Sequence, residues 1–235
     1  MMNYIGDAIE VMSTMSKDQY GAVITSPPYN IGVDYGEFKD KLKLDDYDKF
    51  TENWVREALR VAPVAVINFG APTSSAVNLA KFMLSLSKVG NIQSHITWVK
   101  SISTDDWSYG HFKPVNSKRY LTNTHESVFI VSRDGNYVLD RLAVGVPFKD
   151  KSNIGRFKSN QSDVRCRGNV WYVPYKTRNS SVDHPATYPV ELAEMMIKIV
   201  GTPDIILDPF MGSGTTREAA TNLGVKADGI DLKEW

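Results

Sequence analysis

Cysteine is nearly absent. A single residue, Cys166, among 235 excludes a disulfide within the chain and fits a reducing compartment. Histidine is scarce too: His95, His111, His125 and His184 are scattered, and none stands at a zinc-ligand spacing from Cys166. No structural metal is expected. No apolar run approaches a membrane-spanning length, and the first residues lack the basic-then-apolar pattern of a signal peptide. The expectation is a cytoplasmic protein with no membrane contact. Net charge is also missing. With 27 Lys and Arg against 27 Asp and Glu, any polyanion site must be a local patch. Two familiar nucleotide loops fail as well. No lysine follows Gly214, which excludes a phosphate loop, and Arg217 occupies the third glycine position of the dinucleotide fingerprint.

What is present is an ordinary core composition, 42% hydrophobic, in a length that suits one α/β domain with a small insert. Short apolar runs alternate with helical periods. A strand ends near Ile5, and Gly6-Asp7 turns into a short helix; Asp7 either caps that helix or offers an acid to a ligand. Ala22 to Thr25 reads as a buried strand. Residues 30–44 read as a mobile loop suited to folding over a substrate. Tyr47, Phe50, Trp54, Ala58 and Val61 give one apolar face to a helix over 45–62. Val64 to Phe69 is the next strand, and Pro72 opens a helix that runs to Val89. Strands follow over Ile92–Val99 and Glu126–Ser132, with a long polar connection between them. Pro189 opens another helix, Asp204 to Asp208 reads as a strand, Arg217 to Leu223 as a helix, and Val225 to Asp231 as the last strand.

Two turns carry the chemistry. Ser26-Pro27-Pro28-Tyr29 follows the Ala22–Thr25 strand at its carboxyl end, where open α/β sheets place their sites. Two prolines remove two N–H donors and leave carbonyl acceptors, flanked by a hydroxyl and an aromatic ring. Such a turn suits a flat group that donates from an amino nitrogen; equally, it suits a plain strand exit. The second turn is Asp208-Pro209-Phe210-Met211-Gly212-Ser213-Gly214-Thr215-Thr216, between a strand ending in an acid and a helix. Gly212 and Gly214 allow close backbone approach, and the helix start presents free N–H groups. Asp231, one helix and one strand later, falls where a ribose hydroxyl pair is held in dinucleotide folds. A ligand with a ribose and no required phosphate fits, and S-adenosylmethionine is one.

The charge is unevenly spread. Between Lys149 and Arg178 eight Lys and Arg face two Asp, a local balance of +6, whereas Asp34 to Glu57 holds eight acids and five bases. Phe148, Phe157, Trp171, Tyr172 and Tyr175 interleave with the basic stretch. Basic residues neutralise phosphates and aromatic rings stack on bases. An ordinary solvated basic face with buried aromatics has the same composition.

SPPY early and DPFMGSGTT roughly 180 residues later together resemble the β group of exocyclic-amino DNA methyltransferases. Thr97-Trp98-Val99-Lys100, Thr124-His125-Glu126 and the segment from His184 to Pro189 add to that resemblance. It implies a Rossmann-like, mostly parallel methyltransferase sheet with helices on both faces, circularly permuted, with a small DNA-recognition insert. The catalytic half would span 1–132, the target-recognition insert 133–183 and the cofactor half 184–235. The implied catalytic residues are Ser26, Pro27, Pro28 and Tyr29. The implied cofactor residues are Asp7, His184, Pro185, Asp208, Pro209, Phe210, Gly212, Gly214, Thr215 and Asp231. The implied cofactor is S-adenosylmethionine, and the partner is double-stranded DNA with a flipped target base. In that family Ser at the first motif position leans toward N4 of cytosine and Asp toward N6 of adenine, so cytosine is preferred and adenine is the alternative. An RNA or protein methyltransferase and an inactive DNA-binding relative are the remaining readings. A restriction endonuclease partner is compatible with the resemblance, as is a monomer or a homodimer. Cys166 lacks a preceding proline and reads as a minor packing residue, not a nucleophile.

Overall fold

The computed structural model of the protein describes residues 2–33, 40–110, 115–156, 162–174 and 188–233. In chain order the elements begin β1 (Asn3–Ile5), α1 (Ala8–Ser13), β2 (Ala22–Thr25), α2 (Leu44–Val61), β3 (Val64–Phe69), α3 (Ala76–Val89) and β4 (Asn91–Val99). A hairpin of β5 (Ile102–Ser103) and β6 (Ser108–Tyr109) leads to β7 (His125–Ser132). Then come β8 (Val146–Pro147), a 3₁₀ turn at Lys151–Asn153, β9 (Val164–Arg165) and β10 (Val170–Tyr172). The chain ends with α4 (Val190–Ile199), β11 (Ile205–Asp208), α5 (Thr215–Asn222) and β12 (Lys226–Asp231).

Eight of these strands form one sheet in the order β1-β12-β11-β2-β3-β7-β4-β10. Every neighbouring pair is parallel except those of β7, which runs against both β3 and β4. The central strands are buried on both faces, which explains their unbroken apolar runs. In β3, Val64 and Val66 enter one core and Ala65, Ile67 and Phe69 the other, as the two-residue strand period requires. Helices α1, α2 and α3 cover the second of these faces, and α4 and α5 cover the first.

Chain order reverses between β11 and β2, which are neighbours although most of the sequence separates them. That is the topological switch point, where a crevice opens beyond the carboxyl ends of the strands. At the sheet edge β1 lies beside β12, with Asn3 opposite Gly229 and Ile5 opposite Asp231. The first and last strands thus belong to one half-sheet, and the permuted α/β arrangement expected from the sequence is the one observed.

Several details differ from expectation. Helix α3 begins at Ala76, not at Pro72, because Pro72 to Ser75 close a turn of their own through a 3.0 Å hydrogen bond. Helix α5 starts two residues earlier than its periodicity indicates, at Thr215, because Gly214 adopts a left-handed φ of 82° and serves as its N-cap. The loop after Tyr29 is tied where it is described. Buried Asp40 accepts the N–H groups of Asn30, Ile31, Gly32 and Val33 at 2.7–3.0 Å. Residues 34–39, the middle of the expected cover, lie outside the described residues.

The basic segment also holds a surprise. Val170–Tyr172 joins the main sheet beside β4, and Trp171, only 1% exposed, fills the core with Val144 and Val173. Trp171 is therefore a packing residue and not an aromatic free to stack on a base. Cys166, expected to pack, is exposed.

Candidate active site

The carboxyl ends of β1, β12, β11 and β2 point to the same edge, so Asp7, Asp231, Asp208 and Ser26 come together from four places in the sequence. They line one cleft of about 990 Å³ of empty space, part of it open to solvent. Pro27, Pro28, Tyr29, Pro209, Phe210, Gly212 and Thr215 line it too. His184 and Pro185 lie outside the described residues. Tyr188, from the segment that the resemblance relates to the cofactor, adds a wall, and so does Phe50, which nothing in the sequence assigns to the cleft. In the sequence Phe50 belongs to the apolar face of its helix; its ring meets Phe210 at 6.0 Å.

Asp208 joins the two turns. Its carboxylate accepts the Thr25 hydroxyl at 2.7 Å and the Phe210 N–H at 3.0 Å, and the Thr216 hydroxyl as well. Thr25 ends the strand that carries Ser26, and Thr216 opens helix α5, so one buried acid fixes the distance between the two motifs. Burial raises its carboxyl to about 6, against the pull of those hydrogen bonds. Because the Thr216 proton points at Asp208, the Tyr188 hydroxyl donates to Thr216 at 2.5 Å. Burial first, then the Asp208 charge, pushes the Tyr188 phenol well above its ordinary range.

The glycine turn is held open by its own hydrogen bonds. Gly212 N–H donates to Asp231 at 2.9 Å, and Met211 N–H to the Ile230 carbonyl at 3.0 Å. Met211 seats its side chain over Gly229, where an added Cβ would lie 2.2 Å from the sulfur. A Cβ on Gly214 would meet nothing within 4 Å, so that backbone faces open space. Asp7 caps α1 through one oxygen, which takes the N–H groups of Ile9 and Glu10 at 2.8 and 3.1 Å. The capping alternative is therefore real; the carboxylate nevertheless lines the cleft.

On the other side of the cleft, the Ser26-to-Tyr29 turn rests on a polar cluster. Ser26 Oγ lies 2.6 Å from the Tyr29 hydroxyl, which donates to Asn68 Oδ1 at 2.7 Å. Asn68 Nδ2 donates to Glu126 Oε2 at 3.1 Å, and Glu126 Oε1 pairs with Lys100 Nζ at 2.9 Å. Asn68 is the penultimate residue of β3, Glu126 the second of β7, and Lys100 follows β4, so the antiparallel insertion of β7 brings all three to the same edge. Of the turn's carbonyls, Pro28 is engaged by the Tyr47 hydroxyl at 2.5 Å. Sequence reasoning missed Asn68. Its signal was a lone amide inside the apolar run from Val64 to Phe69.

A second, open concavity is lined by Phe148, Lys149, Asp150, Asn153, Arg156 and Arg165 in the basic segment. Lys151, nearby, is already paired with Asp163.

Comparison with known proteins agrees with this geometry. The family model for N6/N4 methyltransferases, described as DNA methylase, matches residues 21–235. The type II methyltransferase M.ScaI of Streptomyces caespitosus is 30% identical over 98% of this chain and 77% of its own. The DNA adenine methyltransferase YhdJ of Escherichia coli is 26% identical over 97% of this chain and 76% of its own. Among solved structures, the PvuII DNA methyltransferase (cytosine-N4-specific) shares the fold, with a TM-score of 0.71 at 19% identity, covering 98% of this chain and 81% of that one. The chain belongs to the N6/N4 DNA methylase family, the S-adenosylmethionine-dependent enzymes that methylate exocyclic amino nitrogens of DNA bases.

Proposed function

We propose that the methyl acceptor is the N4 amino group of cytosine, held in the Ser26-to-Tyr29 turn after the base leaves the duplex. The observation that carries this reading is that Ser26, a neutral hydroxyl and not an acid, opens into the same cleft as the glycine turn. An amino nitrogen inside a stacked duplex is out of reach, so the base must flip. Its lone pair is delocalised into the ring. Acceptors at Ser26 Oγ and in the turn's backbone would hold the amino hydrogens and favour a pyramidal nitrogen, while the Tyr29 ring stacks on the base.

The cleft fits S-adenosylmethionine by its donor set. Asp231 and Asp7 offer carboxylates to the polar edges of an adenosine, and Gly212 lines the cleft with bare backbone; Gly214 is not among the lining residues and serves the turn through its left-handed φ of 82°. In our reading Asp208, Pro209, Phe210 and Thr215 shape the wall that positions the methionine end, and His184 and Pro185 belong to the segment that closes over it. When bound, the cofactor supplies an electrophilic methyl group. The chain's own residues then act by position: transfer needs the acceptor nitrogen in line and water excluded, with no covalent bond to the protein. Lys149, Arg156 and Arg165 are the residues we assign to backbone phosphates. We further propose a cytoplasmic monomer or homodimer acting beside a restriction endonuclease, a setting supported by the type II relative.

The test is to digest DNA methylated by the purified chain and identify the modified nucleoside by mass. N4-methylcytosine is expected. N6-methyladenine alone overturns the base assignment and favours the second reading, which the YhdJ relative supports. Label entering RNA or protein but not DNA overturns the substrate.

A further inference from the structure

Beneath the proposed base pocket runs a chain of hydrogen bonds whose polarity can be worked out. The Tyr29 hydroxyl has one proton. Its close neighbours Asn68 Oδ1, at 2.7 Å, and Glu126 Oε2, at 3.3 Å, can only accept. The Tyr29 proton therefore points at them. The 2.6 Å contact between Tyr29 and Ser26 then needs its proton from Ser26. A serine whose only proton is spent below the pocket turns lone pairs toward whatever sits above it. The orientation of the Asn68 amide is fixed in turn. Nδ2 donates to Glu126 and, at 3.3 Å, to the Ser127 carbonyl, so Oδ1 must face Tyr29. Glu126 is held by Lys100, with both side chains more than four-fifths buried (18% and 17% exposed), and Asn68 is fully buried.

The packing leaves no slack. A Cβ on Gly70 would lie 2.8 Å from the Tyr29 ring and 3.0 Å from the Glu126 carboxyl carbon. The absence of a side chain at Gly70 is what lets these two groups close on Asn68. The Tyr29 ring also meets Phe69 edge-on at 5.2 Å, and Phe69 stacks on Phe82.

We infer that Asn68, Glu126 and Lys100 are positioning residues that set the direction of the Ser26 proton, so that the pocket presents an acceptor to the amino group of the target base. This rests on the reading of Ser26 as part of the methyl-acceptor site. None of the three is among the residues that line the cleft. Each acts through Tyr29 and Ser26.

The discriminating variants are Glu126→Gln and the exchanged pair Asn68→Asp with Glu126→Gln. In the single variant Lys100 keeps the amide oxygen, so an amide nitrogen faces Asn68 Nδ2. Two donors then oppose each other and Asn68 must flip. A flipped amide donates to Tyr29, the Tyr29 proton moves to Ser26, and the Ser26 proton turns into the pocket. The exchanged pair restores the original polarity. The introduced aspartate accepts from Tyr29 and from the introduced glutamine, Lys100 retains its oxygen acceptor, and two long bonds of 3.3 Å are given up, from Tyr29 to Glu126 Oε2 and from Asn68 to the Ser127 carbonyl.

Single-turnover methyl transfer, cofactor affinity and melting temperature are measured on all three chains. Glu126→Gln is expected to slow transfer by about tenfold to a hundredfold while cofactor affinity is unchanged. The exchanged pair is expected to return to within about tenfold of wild type. Wild-type transfer in Glu126→Gln, or an exchanged pair as slow as the single variant, overturns the inference. A readout without turnover separates this from the methyl-acceptor reading. In asparagine-labelled wild-type protein the Asn68 side-chain amide protons, identified by their loss in Asn68→Asp, should exchange slowly with solvent. A wild type inactive on every DNA but with slow exchange sinks the acceptor reading alone; fast exchange sinks the network.

Discussion

Asp208 is a buried acid that has no cationic partner among the described contacts, and that predicts how stability changes with pH. Its neighbours are the hydroxyls of Thr25 and Thr216 and the N–H of Phe210, with the Asp231 charge adding a small upward push. Burial wins, and the carboxyl titrates at about 6 in the folded chain against 3.8 ordinarily. The folded chain therefore holds this proton more tightly than the unfolded chain does. Stability from this group is greatest below the ordinary value, falls as pH rises through the window from 3.8 to about 6, and is flat above it. The whole difference is about 3 kcal/mol, and roughly half of it, about 1.4 kcal/mol, falls between pH 5 and 8. Asp208→Asn removes the ionisation but not the network. The amide can accept from Thr25 and Phe210 and donate to Thr216, which then donates to Tyr188. The assay is urea unfolding of both chains at intervals from pH 5 to 8. Relative to the Asn variant, the wild type should lose stability by about that amount as pH rises. Parallel curves refute the buried titration; a wild type that gains on the variant with rising pH reverses its sign.

Ser26→Ala should leave cofactor affinity, followed by calorimetry, within about twofold and cut single-turnover transfer by about tenfold or more; a collapse of cofactor affinity would place Ser26 in the wrong half of the cleft. Trp171→Ala should lower unfolding stability by about 3–5 kcal/mol as a core truncation, with the salt dependence of DNA binding unchanged. A variant that melts like wild type but loses DNA affinity would return Trp171 to the DNA-contacting set. Gly229→Ala should push Met211 off its seat, costing about 1–3 kcal/mol in stability and weakening cofactor binding through the shifted glycine turn; unchanged melting and affinity would show that Met211 moves aside freely.

How far the fold could be read from the sequence depended on where each signal was local. β2 and β3 were legible to the residue, because strands buried on both faces are continuous apolar runs bounded by turn residues. The two site turns were legible because proline and glycine mark backbone geometry directly, and two of the acids end their strands in plain view. β10 was not. It has three residues, sits at the sheet edge, and is flanked by basic and polar neighbours, so Trp171 read as part of a charged surface although tertiary contact buries it. The start of α3 failed for a local reason, since Pro72 fits a turn as well as a first helical residue.

Asn68 marks a different boundary. Its partners Tyr29, Glu126 and Ser127 come from a turn and a strand distant in sequence, and no spacing rule links them. Yet its cost was visible. An amide in a strand buried on both faces must find partners, because leaving its groups unpaired costs about 1–3 kcal/mol each. Thr25, at the end of the other buried strand, poses the same demand and answers it on Asp208. The lone polar residues of the two central strands are thus the two places where the sheet holds the site, one beneath the proposed cofactor half and one beneath the proposed base. An apolar residue at either position would suit the core better, so what keeps them polar is the geometry above them.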